Sequence, residues 1–199
     1  MAAAKKARPA YGRDAAAMFE TFVNRARALG TEVYRAGSPV AAGQLIEKLI
    51  REVGAKKVAL APAPLLDALA VEKAVAAAGA ALLTSGGVRR RAEEADLGIT
   101  AFDLAVAETG TLVQDATALD RRLISMLPPV HLAVVSTDGL VDTLRHAVNR
   151  LAAGGVPGYL AFVSGPSRTA DIERVLTIGV HGPGRVMVVF VDREGGSVQ

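Results

Sequence analysis

Apolar positions in this chain switch between a period of three to four residues and short unbroken runs, the pattern of helices alternating with buried strands. Met18, Phe19, Phe22, Val23, Ala26 and Leu29 make one helical stripe, which Gly30 ends. Thr31 to Arg35 predicts a short strand. Ser38 and Pro39 supply an N-cap and a first helical residue for a second stripe, Leu45, Ile46, Leu49, Ile50 and Val53, with Gly54 as its stop. Lys57 to Ala61 predicts a buried strand, Leu65 to Ala78 one alanine-rich helix, and Ala80 to Leu83 another strand. Strands this apolar are covered on both faces. The pattern therefore predicts an α/β fold built on a mostly parallel sheet flanked by helices.

The rhythm tightens beyond Gly98. Strands are predicted at 103–107, 111–114 and 131–135, around a helix near 118–127. Leu140, Val141, Leu144, Ala147, Val148 and Leu151 restore the longer period, followed by a strand at 159–163, a helix from about 169 and a strand at 186–191. No internal repeat or long linker divides the chain. The expected organisation is a flexible tail over residues 1–12 and a single domain over 13–199.

Composition narrows the functions. Hydrophobic residues at 51% and charged residues at 22% describe a globular chain, and 4% aromatics without tryptophan leave the core to Ala, Val, Leu and Ile. The net charge of +3 is small and the basic residues are dispersed, so no nucleic-acid surface is expected. The absence of cysteine excludes disulfides, thiolate nucleophiles and cysteine-held zinc or iron–sulfur clusters in this chain. His131, His146 and His181 lack ligand spacing, so no metal site is expected. Neither a signal peptide nor a membrane span is expected, since the longest strongly apolar run, Val186 to Val191, has six residues. The expected location is the cytoplasm.

Four stretches carry candidate chemistry. In Ala107-Glu108-Thr109-Gly110-Thr111, Glu108 closes an apolar strand, where a carboxylate can act as base, nucleophile or ligand contact. A surface hairpin explains the same residues. Ser164, Gly165, Ser167, Arg168 and Thr169 follow a strand and precede a predicted helix, a junction whose amides and hydroxyls suit a carboxylate or phosphate. Ordinary helix capping explains them too. His181 lies in the glycine-flanked run 179–185, able to exchange a proton or simply to hold a structural hydrogen bond. Arg122 can hold a carboxylate or belong to a solvated helix face. No dinucleotide or Walker motif is present.

The ordered set AETGTLV, RRLISMLPPVHLAVV, SGPSRTADIERV and GVHGP, over roughly residues 98–192, resembles the LUD-domain family, that of lactate utilization protein C. The resemblance implies a fold like that of ribose-5-phosphate isomerase and CoA-transferase-like domains. It also implies a part in oxidising L-lactate to pyruvate beside two iron–sulfur partner proteins. Motif positions matched here are Glu108, Gly110, Arg122, Ser164 to Ser167, Thr169 to Glu173 and His181 to Pro183. Where the family has Gly-Arg, this chain has Arg121-Arg122. Longer relatives append a cysteine-rich ferredoxin-like segment that this sequence lacks, so electrons are expected to travel on a partner. The leading expectation is thus a non-redox component of lactate oxidation. The alternatives are a standalone isomerase or acyl/CoA transferase of the same fold using Glu108, and a scaffold or ligand sensor.

Overall fold

A computed structural model describes residues 14–155, 157–169, 177–179 and 181–192. Helix α1 (Ala15–Ala28) starts where the Asp14 carboxylate accepts the Ala16 amide, and Gly30, at φ +88°, turns the chain into β1 (Thr31–Ala36). Helix α2 (Pro39–Val53) is capped as its sequence predicts. Ser38 Oγ accepts from the Ala41 amide at 3.1 Å, Pro39 opens the first turn and Gly54 closes the last in the left-handed conformation. Strand β2 (Lys57–Leu60) follows.

The alanine-rich stretch predicted as one helix is two, α3 (Pro64–Ala68) and α4 (Val71–Ala77), separated at Ala70 with φ +50°. In an unbroken helix Leu66 and Val71 would point about 140° apart. The break turns both inward, and both are 1% exposed.

Beyond β3 (Ala81–Leu82) come α5 (Val88–Glu94) and β4 (Leu97–Phe102), two elements the hydrophobic pattern does not announce. Helix α5 is mostly charged, with Arg89 and Arg90 paired to Glu93 and Glu94. Strand β4 is wholly buried but interrupted by Gly98 and Thr100. Gly98 is required there, because a Cβ would collide with the Ile124 carbonyl of the helix packed across it. The remaining elements are β5 (Leu104–Val106), β6 (Thr111–Asp115), α6 (Leu119–Met126), β7 (Val130–Ser136), β8 (Leu140–Val141), α7 (Leu144–Ala152), β9 (Leu160–Val163), β10 (Arg168–Thr169), β11 (Thr177–Ile178) and β12 (Arg185–Val191). The helix expected from about 169 meets strand β10 instead, antiparallel to β11. Its continuation over 170–176 and the tail expected over 1–12 lie outside the described residues.

Six strands form a parallel sheet in the order β1-β12-β7-β4-β2-β3, and four form a second sheet, β8-β5-β6-β9. Alternate residues of the parallel strands feed two cores. Ile99, Leu132, Val134, Met187 and Val189 pack toward α2, α3 and α4. Phe102, Ala133, Val135, Val188 and Phe190 pack toward α1 and the second sheet. There Phe22 meets Phe190 edge to face at 5.0 Å. Helix α7 covers the outer face of the second sheet through Ala147, against Leu104, Val106, Val113 and Val141. Ala59, Ala61, Ala92, Ala95 and Ile124 join α5 and α6 to β2.

Candidate functional site

Two of the predicted motifs dock on the end of α1. The turn between β5 and β6 places Gly110 at φ +64°, where a Cβ would stand 2.5 Å from the Ala26 nitrogen. Gly165, at φ +94°, lies as close to the Leu29 carbonyl, its would-be Cβ 2.6 Å from that oxygen. Between the two turns Thr111 Oγ1 and Ser164 Oγ share a hydrogen bond of 2.8 Å. The third motif joins through Ser167, whose amide donates to the Pro183 carbonyl at 2.9 Å and whose side chain lies beside Gly182. This cluster sits at the amino ends of the parallel strands, next to Gly30 before β1 and Gly184 before β12.

Most polar groups of the cluster already have structural partners. Arg168 Nη2 donates to the Leu29 carbonyl at 2.6 Å, satisfying an open acceptor at the end of α1. Glu108 Oε1 accepts from the Leu144 amide at 2.6 Å, and Thr143 Oγ1 accepts from the His146 amide, so together they cap α7. Thr109 and His181 are exposed. Thr169 belongs to β10. Arg122 stands apart, its guanidinium 4.7 Å above the Tyr159 ring, at the opposite end of β9 from Ser164.

The opposite edge holds residues that the motif reading did not single out. Asp103, just past β4, accepts on Oδ2 both the Asp115 amide (2.6 Å) and Arg121 Nη2 (3.0 Å), and the same Nη2 donates to the Ala101 carbonyl at 2.7 Å. Arg121 Nε is buried without a partner among the described residues. A cavity of about 190 Å³ opens beside this pair, between β2 and β4. Asp103 had a signal in the sequence, a carboxylate ending an apolar run; Arg121 and Arg122 are indistinguishable there, and only the helix phase separates them.

Polar groups also lie in the interior. His131, fully buried on β7, shares a 2.9 Å hydrogen bond with Thr100 Oγ1, and burial pushes its pKa down to about 4. Gln114 Nε2 donates to Ser125 Oγ at 3.3 Å. Among the described residues no three His, Asp or Glu side chains gather as metal ligands, and no helix is long and apolar enough to cross a membrane.

An open parallel sheet, with α2, α3 and α4 on one face and α1, α5, α6 and a second sheet on the other, defines the class as an α/β domain. The LUD domain profile matches residues 19–191, and the chain belongs to that family. It is 43% identical over 106 residues to lactate utilization protein C 1 of Bacillus mycoides, an alignment covering 51% of this chain and 45% of that protein. Lactate utilization protein C of Exiguobacterium sp. is 44% identical over 108 residues, with 52% and 47% covered, and that of Deinococcus radiodurans 42% over 101 residues, with 50% and 48%. The matched segments thus span just under half the length of these relatives. The crystal structure of a DUF162 family protein from Deinococcus radiodurans shares the fold, with a TM-score of 0.66 at 24% identity over 90% of this chain and 99% of the other.

Proposed function

We propose that this chain serves L-lactate utilization as a component without a redox centre of its own, acting beside iron–sulfur partner proteins in oxidising L-lactate to pyruvate. The observation that carries this reading is the 42–44% identity, over about half the chain, to proteins named lactate utilization protein C. With no cysteine in the chain, any cysteine-held cluster that the oxidation needs belongs on a partner. The working unit is one domain over 13–199. Within the amino-edge cluster Glu108, Thr109 and His181 are the members that contact ligand or partner. Gly110, Thr111, Ser164, Gly165, Ser167, Arg168 and Thr169 hold its shape.

Deleting the gene is expected to abolish growth on L-lactate as sole carbon source and to spare growth on pyruvate. Glu108→Gln keeps an acceptor oxygen for the Leu144 amide, so the variant is expected to fold, as read by its melting curve, and yet fail to restore growth. Normal lactate growth of the deletion strain, with no second family copy present, sinks the assignment.

A further inference from the structure

The parallel sheet changes direction between β2 and β4. From the carboxyl end of β2 the chain leaves through Pro62 and Pro64 to α3 and α4 on one face, then reaches the outer strand β3. From the carboxyl end of β4 it leaves at Asp103 to the second sheet on the other face, then reaches β7 on the inner side. Neighbouring parallel strands whose continuations depart to opposite faces open a crevice, and open α/β sheets bind ligands at that point. Here the crevice holds the 190 Å³ cavity. A three-carbon acid needs roughly four waters' share of volume, ~120 Å³.

The lining suits one kind of molecule. Pro62, Pro64, Leu65 and Phe102 are apolar, while Asp103 and Arg121 are ionic. Arg121 Nε is buried out of a ligand's reach, and Nη2 is taken by Ala101 and Asp103. No bond among the described residues falls on Nη1, which is left as the donor for a ligand oxygen. Both bonds to Asp103 fall on Oδ2, leaving its Oδ1 clear of either. A carboxylate in an ion pair only accepts hydrogen bonds, so it selects a hydroxyl over a keto oxygen.

We propose that the crevice between β2 and β4 binds a small 2-hydroxy monocarboxylate of three or four carbons, its carboxylate on Arg121, its hydroxyl on Asp103 and its alkyl end against the proline wall. The choice of a hydroxy acid rests on the lactate reading above; the carboxylate site at Arg121 does not.

Calorimetric titration of the full chain with L-lactate, pyruvate and propionate tests this. L-Lactate is expected to bind at least about tenfold more tightly than either of the others, which offer Asp103 no hydroxyl. Arg121→Gln is expected to abolish binding. Because Arg121 also holds the Ala101 carbonyl, a second variant, Ala63→Phe, fills the crevice from its wall while leaving the ion pair intact. Arg122→Gln is expected to change nothing. L-Lactate binding that survives both Arg121→Gln and Ala63→Phe in folded protein overturns the site, as does no binding by the unaltered chain at about 50 mM. Binding lost in both variants, with normal lactate growth of the deletion strain, keeps the site and removes the lactate role. Lost lactate growth without lactate binding keeps the role and removes the site.

Discussion

His131 shows what burial does to one titratable group. Its ring lies on a central strand beside Phe102, with Thr100 as partner on Nε2 and no partner on Nδ1 among the described residues. Its pKa falls from 6.5 to about 4 because the protonated ring loses its water. Between those values the unfolded chain binds a proton here and the folded chain does not, so stability falls as the pH drops through that window. The expected loss between pH 7 and pH 4 is up to about 3 kcal/mol from this residue. Urea unfolding of the native chain and of His131→Gln measures it. Identical pH dependence in the two proteins would exclude His131 as the source.

At the scale of elements, the end of α1 acts as a template for two turns. Gly110 and Gly165 each press backbone against backbone there, and Arg168 and the Thr111–Ser164 pair tie the turns together. Gly110→Ala is expected to cost more than about 3 kcal/mol, since it adds both left-handed strain and a collision with Ala26. Gly54→Ala offers the comparison, because Gly54 is also left-handed but a Cβ there meets nothing within 4 Å. Its cost is expected to be the strain alone, about 1–2 kcal/mol. Equal losses in the two variants on denaturation would refute the docking account.

Across the whole molecule, the two edges of the parallel sheet have different duties. The amino edge gathers three of the four motifs, that of Arg122 excepted, and uses many of their polar groups to join α1, α7 and the loop before β12. The carboxyl edge gathers the cavity and the Asp103–Arg121 pair. Under the proposed reading, in which the iron–sulfur clusters sit on partner proteins, the purified chain is expected to make no pyruvate alone. Incubating the purified protein with L-lactate and an artificial acceptor dye tests this. Sustained dye reduction with pyruvate release would contradict the non-redox role.

Local chemistry in the sequence was enough for α1 with its Gly30 stop, β1, α2 with its Ser38 cap and Gly54 stop, and β2, and for the alternation that makes a parallel sheet, since these depend on neighbours within a turn or a strand. The family motifs were legible as well, because glycine and proline spacing is written along the chain. Tertiary structure alone decided the break at Ala70, which re-aims one apolar face, and the existence of β4, whose Gly98 is explained only by the helix lying across it. It alone gave Arg121 and not Arg122 the place beside Asp103. Which end of a sheet holds a cavity depends on where its connections depart, and strand order is a property of long-range pairing that no local window of residues contains.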